Sequence, residues 1–149
     1  MKEKILVSLG GAGALIASAF GGWTGAMTTL CIFMVIDYLT GMIVALVFKK
    51  SPKTESGAAS SKVGWTGLFK KGMILVILYM GCRLDMLLGS TYIKDGTCIC
   101  FILNESISIL ENAGLMGVPI PAPILDAIDI LHAKSRKKEN PKKDDDSQE

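Results

Sequence analysis

Long apolar blocks separated by short polar stretches are the main pattern along the 149 residues of the chain. Four blocks predict helices, at residues 5–22, 25–48, 73–88 and 97–118. A helix needs about 20 consecutive apolar residues to cross the hydrocarbon core of a bilayer, and uninterrupted apolar runs are not the amphipathic pattern of a soluble helix. The expected fold is therefore an all-α polytopic membrane protein with about four transmembrane helices.

The connections between the blocks differ in polarity. Residues 49–72 are rich in lysine, serine and glycine and predict a basic loop, whereas the other two connections carry little charge. Three prolines between positions 119 and 123 end the fourth helix, because proline cannot donate a backbone hydrogen bond. Residues 134–149 are charged and lack apolar side chains, so they predict a disordered tail behind a membrane domain of residues 1–133.

Lysine and arginine lie almost entirely on one side of the predicted spans. Two lysines precede the first block, six lie between residues 49 and 71, and six basic residues lie in the tail, whereas only Lys94 lies in the opposite connections. The positive-inside rule then places both termini and the basic loop in the cytoplasm. A cleavable signal peptide, with Lys2 and Lys4 before an apolar run and an Ala17-Ser18-Ala19 site, is an alternative for the N-terminus that leaves the later topology unchanged.

Asp37 is the only charged residue between Ile5 and Phe48. A carboxylate at the centre of a span costs roughly 2.5–3.5 kcal/mol on insertion scales, so such residues face other helices or water. Arg83 lies at a similar depth in the antiparallel third block, which predicts an ion pair with Asp37. The alternatives are that Arg83 extends to the interface or pairs locally with Asp85.

The fourth block carries a polar stripe. At about 100° per residue, its five polar side chains fall within an arc of roughly 120°. Lipid cannot solvate such a face, so the stripe is expected to meet other helices or water inside the membrane. A helix lying on the membrane surface is the alternative, although its polar face would usually be rich in lysine. The five residues are Asn104, Glu105, Ser108, Glu111 and Asn112.

Small residues recur at four-residue spacing in the first two blocks. Such spacing permits close approach of helices and predicts packing faces in lipid. The pairs are Gly10 with Ala14, Gly13 with Ala17, Ala14 with Ser18, and Gly41 with Ala45.

The sequence lacks the signatures of an enzyme. It has no nucleophile-histidine-acid set, no phosphate-binding glycine loop and no cysteine or histidine spacing typical of a metal site. The basic loop is explained by membrane orientation alone, so it gives no indication of nucleic-acid binding. We therefore expect neither catalysis nor a cofactor.

Four short motifs together resemble the phage-lysis and toxin-secretion holin family of Gram-positive bacteria and their phages. The resemblance rests on Ile36-Asp37-Tyr38-Leu39-Thr40-Gly41, on the glycines and lysines between Ser61 and Lys71, on the acidic helix between Asn104 and Asn112, and on Met116-Gly117-x-Pro119-x-Pro121. It implies a homo-oligomer in the bacterial cytoplasmic membrane that opens a lesion. A muralytic enzyme or a large toxin would then pass through it.

Two other functions remain open at the level of the sequence. The intramembrane carboxylates would also suit a small ion or solute transporter. A membrane anchor or scaffold could recruit partners through the basic loop and the tail. A holin should pass macromolecules abruptly, a transporter should saturate with one solute, and a scaffold should tolerate neutralisation of its intramembrane carboxylates.

Overall fold

A computed structural model describes residues 2–54, 56–128 and 130, and this part of the chain is helical without any strand. A π-helix at Val44–Phe48 continues α2 into the loop, and residues 122–128 form a further short helix. The predicted tail, residues 134–149, lies outside the described residues. The main helices are α1 (Lys2–Ala19), α2 (Gly25–Ile43), α3 (Ser61–Leu88) and α4 (Tyr92–Leu115).

Two of these helical stretches are long and apolar enough to cross a membrane. They are Gly25–Phe48, with a mean hydropathy of 2.4, and Tyr92–Leu115, with a mean hydropathy of 1.3. The helix α1 opens with three charged residues, and α3 carries Lys71 just before its apolar half and Arg83 and Asp85 within that half. The all-helical class is thus confirmed, whereas four membrane spans stay a prediction.

The third helix begins earlier than the hydropathy pattern predicts. It starts at Ser61, so residues 61–72 of the expected basic loop are its first three turns. With 28 residues, the helix is about 42 Å long at 1.5 Å per residue, which exceeds the hydrocarbon core of about 30 Å. Lysine has a high intrinsic helix propensity, so the lysines of this stretch do not oppose helix formation, which a criterion based on apolar blocks does not detect.

The core lies where α4 packs against both α2 and α3. Gly81 of α3 permits the close approach of α4, since a Cβ atom at this position would lie 3.3 Å from Cγ2 of Ile93. The buried apolar side chains are Met27, Leu30, Met34, Ile74, Leu78, Cys82 and Cys98. This layer fixes the relative positions of three helices.

A short hairpin joins α3 to α4. Gly89 ends α3 in the left-handed conformation, with φ of 64°, which glycine adopts without the penalty of a Cβ atom. The Asp85 carboxylate accepts hydrogen bonds from the backbone amides of Ile93 at 3.1 Å and Lys94 at 2.7 Å, and from the Ser90 hydroxyl. Asp85 therefore satisfies amides in the first turn of α4, which have no acceptor within the helix.

The first helix stands apart from the other three. Within the described residues, α1 packs against no other helix. Only the turn after it is attached, where the Phe20 ring meets the rings of Trp23 and Tyr79 at centroid distances of 5.8 and 5.3 Å. Leu6, for example, is 73% exposed, so the apolar surface of α1 needs lipid or another protein to cover it.

Candidate functional site

Three helices contribute one charged side chain each to a buried cluster. The Lys71 ammonium of α3 donates to Oδ2 of Asp37 on α2 at 2.8 Å, and it also contacts Oε2 of Glu105 on α4. The side chain of Lys71 is 13% exposed, that of Asp37 12% and that of Glu105 3%. We call Asp37, Lys71 and Glu105 the ion triad.

Asn112 extends the triad by hydrogen bonds. Its amide nitrogen donates to Oδ1 of Asp37 at 3.1 Å and to the Thr40 hydroxyl at 3.0 Å. Gly41 lies beside this amide, since a Cβ atom there would be in ordinary van der Waals contact with it at 3.6 Å. Both oxygens of Asp37 are therefore engaged, one by Lys71 and the other by Asn112.

The antiparallel arrangement brings the triad to one level. Asp37 lies eleven residues before the end of the π-helix at Phe48. Lys71 lies ten residues after the start of α3, and Glu105 lies ten residues before the end of α4. At 1.5 Å per residue, all three lie about 15 Å from the loop ends of their helices. Neighbouring helices that run in opposite directions therefore place these side chains opposite one another.

The triad holds more negative than positive charge. One ammonium and two carboxylates sum to a formal charge of −1 when all three groups are ionised. An ion pair away from water is costly to break, because the remaining partner is left buried without compensation, at about 3–5 kcal/mol. The described residues contain no buried side-chain nitrogen or oxygen atom without a hydrogen-bond partner, so no buried polar atom of the cluster is left unpaired.

The polar stripe of α4 is divided between the inside and the outside of the bundle. Glu105 and Asn112 are buried in the cluster, and Ser108 is partly buried. Asn104 and Glu111 are exposed, and neither side chain forms a hydrogen bond or ion pair with another described residue. The stripe therefore serves two surfaces, an internal one that is satisfied and an external one that is open.

The exposed positions of α4 follow a regular spacing. Between Ile93 and Leu115 they recur at alternating intervals of four and three residues. This is the spacing of the contact line in coiled coils, where a polar residue within the line sets register and oligomer state. We call this line the α4 seam. Its residues are Cys100, Asn104, Ile107, Glu111 and Gly114.

The expected pair between Asp37 and Arg83 is not formed. Arg83 is exposed, and its Nη1 lies 3.5 Å from the sulfur of Met86. The local alternative, Arg83 with Asp85, is also absent because Asp85 binds the start of α4. Lys71 takes the expected place of Arg83 on Asp37. Sequence reasoning missed it because the helix was expected to begin at residue 73, which left Lys71 in a loop.

The small residues predicted to pack have different surroundings. Gly41 lies at the contact of α2 with α4, and Ala45 is partly buried one turn later. Around Gly10 and Gly13, no described atom would lie within 4 Å of an added Cβ. Ala14 and Ala17 lie on the same unpacked helix. A packing role for these four residues of α1 would therefore involve another chain.

An open groove of about 1310 Å³ separates the first half of α3 from α2 and α4. Its floor includes Tyr38, whose ring lies near Gly64 and Gly67 of α3. The loop forms one end and is tied by the Ser51 amide, which donates to the Gly57 carbonyl at 3.0 Å. We call this space the basic groove. Its charged lining residues are Asp37, Lys53, Lys62, Lys70, Lys71 and Glu111.

No metal centre is formed by the described residues, where no three histidine, cysteine, aspartate or glutamate side chains are grouped as ligands. The ion triad has only two carboxylates, and Lys71 already occupies the space between them. The arrangement is suited to holding helices together inside a membrane.

Comparisons with known proteins point in one direction. The bacteriophage holin family matches residues 14–133. An uncharacterized 14.9 kDa protein from the nagH 3' region of Clostridium perfringens is 38% identical over 131 residues, which cover 87% of this chain and 91% of that protein. An uncharacterized protein of Listeria monocytogenes is 33% identical over 126 residues, or 84% of each chain.

A phage protein is among the relatives. The probable holin of Bacillus phage phi105 is 27% identical over 110 residues, which cover 73% of this chain and 76% of that protein. No solved structure matches the chain. The likeness to known proteins therefore rests on sequence, and the family match at residues 14–133 includes all of the ion triad and the α4 seam.

Proposed function

The chain belongs to the bacteriophage holin family, and from this premise we propose that it oligomerises in the bacterial cytoplasmic membrane and opens lesions there. The membrane location is supported by the family and by the two long apolar helices. We further propose that the chain is multi-pass, with four spans and both termini in the cytoplasm. The passenger would be a muralytic enzyme, with a large secreted toxin as the alternative.

The observation that carries oligomerisation is the open α4 seam. Asn104 and Glu111 lie exposed on a helix that is apolar enough to span the membrane. Hydrocarbon leaves such groups unsatisfied at a cost of several kcal/mol each, so a second subunit or a water-filled lesion would stabilise them. The alternating spacing of the seam supports helix-to-helix contact between subunits.

The first helix supports assembly independently. It has no helical partner within the described chain, and its glycine and alanine pairs provide a surface for close approach in lipid. In the oligomer, α1 of one subunit would cover apolar surface of the next.

The ion triad would keep α2, α3 and α4 together in each subunit. Asp37 and Glu105 already share the Lys71 ammonium, which leaves them less suited to bind a transported cation. The transporter alternative therefore has less support than the holin. A scaffold would not require the charged cluster inside the membrane at all.

The experiment that tests this proposal is inducible expression in a bacterium that also produces a cytoplasmic muralytic enzyme. We expect growth to stop abruptly and the enzyme to appear outside the cytoplasm, in the wild type and in a Val76→Leu control, which changes an exposed residue of α3 outside the seam. Glu111→Leu should delay or abolish release, although the protein accumulates in the membrane. Release that is identical in wild type and Glu111→Leu, or an ion leak without passage of enzyme, would contradict the proposal.

A further inference from the structure

The basic groove combines lysines, spread over more than two turns of α3 and the loop before it, with apolar walls. Lys53 of the loop and Lys62 in the first turn of α3 lie at the loop end, and Lys70 lies two turns deeper. The apolar lining includes Met42, Leu46, Val63, Leu68 and Leu115. Exposed ammonium groups beside apolar walls match the two parts of a phospholipid, its phosphate and its acyl chains.

The open charges of the groove are mainly positive. Asp37 and Lys71 neutralise each other, so they offer no charge to a ligand. Among the described lining residues, Lys53, Lys62 and Lys70 are exposed, against one exposed acidic residue, Glu111, which gives three minus one, or +2. This surplus favours an anionic ligand, since none of the described residues forms an ion pair with these lysines.

We propose that the basic groove binds an anionic phospholipid of the cytoplasmic leaflet. The phosphate would lie against Lys53 and Lys62, with the acyl chains along the apolar walls of α2, α3 and α4. Basic pockets between helices on the cytoplasmic side are a recurrent site for anionic head groups, and each lysine near an anionic surface strengthens binding about fivefold. The inference rests on the membrane orientation given with the proposed function.

A second copy of the chain is a less suitable occupant. The α4 seam, through which copies are proposed to associate, carries one acidic residue, Glu111. That single carboxylate cannot neutralise three lysines, and it already lines the groove of its own chain. A lipid supplies both the anion and the apolar volume in one molecule.

Trp65 provides a natural probe, because it lines the groove and is 62% exposed. The chain has two tryptophans, so Trp23→Phe leaves Trp65 as the sole fluorophore. We would place this full-length variant in phosphatidylcholine vesicles and add a small fraction of lipid brominated on its acyl chains. Brominated phosphatidylglycerol should quench Trp65 at mole fractions where brominated phosphatidylcholine does not.

Lysine variants locate the head group. In the Trp23→Phe background, Lys53→Gln and Lys62→Gln should each weaken the preference for phosphatidylglycerol about fivefold. Lys94→Gln removes the same charge at the other end of the bundle and should leave the preference unchanged. Lys53→Arg and Lys62→Arg should retain it, and equal helical content by circular dichroism would confirm that these exposed positions do not affect folding.

Three results would overturn the inference. The first is equal quenching of Trp65 by the two brominated lipids. The second is a loss of the preference for phosphatidylglycerol in Lys94→Gln that equals the loss in Lys53→Gln and Lys62→Gln. The third is quenching by both lipids that falls as the protein-to-lipid ratio rises, which would place a second copy in the groove. The assay requires no lesion, so preferential quenching in a protein that fails to release enzyme would support the lipid site and contradict only the proposed function.

Discussion

Replacing Lys71 by methionine tests the ion triad most sharply. The change keeps an unbranched side chain of similar length but removes the ammonium that lies between Asp37 and Glu105. Two carboxylates whose side chains are 12% and 3% exposed then lose their shared cation. Leaving a buried charge without its partner costs about 3–5 kcal/mol, so we expect the folding equilibrium to shift by more than two orders of magnitude.

Lys70 offers a matched control one residue away. Its side chain is exposed, and it forms no hydrogen bond or ion pair with another described residue. Lys70→Met should therefore change stability by less than about 0.5 kcal/mol. The assay is reversible unfolding of the full chain in mixed detergent micelles, followed by circular dichroism at 222 nm as the denaturing detergent fraction is raised.

Neutralising the carboxylates distinguishes an electrostatic role from a packing role. In an Asp37→Asn, Glu105→Gln background, Lys71 has no anionic partner, so removing its charge should cost far less than in the wild type. The coupling between the two sets of substitutions should be about 2 kcal/mol or more. Additive costs, or equal losses in Lys71→Met and Lys70→Met, would refute the triad as a source of stability.

The remaining predictions separate internal from external residues. Asn112→Leu should lower the free energy of unfolding by about 1–3 kcal/mol in the same assay, because Asp37 loses a hydrogen bond. Asn104→Leu should leave that free energy unchanged and impair enzyme release. The reverse pattern would contradict the division of the α4 stripe. Gly81→Leu should lower the free energy of unfolding by about 1–3 kcal/mol, because the larger side chain clashes with α4. An equal loss in Gly72→Leu, where the space beside the glycine is open, would argue against this close contact of α3 with α4. Asp85→Ala should lower the free energy of unfolding by about 1 kcal/mol, because the first amides of α4 lose their acceptor. Unchanged hydrogen exchange of the amides of residues 93 and 94 would contradict this role of Asp85.

The sequence indicated some members of the cluster but not their partners. Asp37, Glu105 and Asn112 were predicted to avoid lipid, because any polar group in an apolar helix must do so. Helical periodicity gives the angle of a side chain about its own helix, but it says nothing of the helix opposite. The pairing of Asp37 with Lys71 depends on the start of α3 at Ser61, which hydropathy does not reveal because lysines interrupt the apolar pattern there.

The division of the α4 stripe shows a second limit of sequence reasoning. Glu105 and Glu111 are both acidic residues on one arc, yet Glu105 is buried and Glu111 is exposed. A difference of about 120° around the helix decides which of them faces α2 and α3. Only the packing of α2, α3 and α4 decides which positions of the α4 stripe are buried and which are exposed. For α1, the small residues indicate a contact surface, and the partner of that surface is still a prediction.

Cysteine crosslinking along the α4 seam tests the central claim, that subunits associate through this line and then open a lesion. In a background lacking Cys31, Cys82, Cys98 and Cys100, a cysteine at Ile107 should form disulfide-linked dimers in membranes before lysis. A cysteine at Val76, which is 56% exposed on α3, serves as the control and should link far less. Equal crosslinking at both positions, or none at position 107 when enzyme is being released, would contradict assembly through the seam.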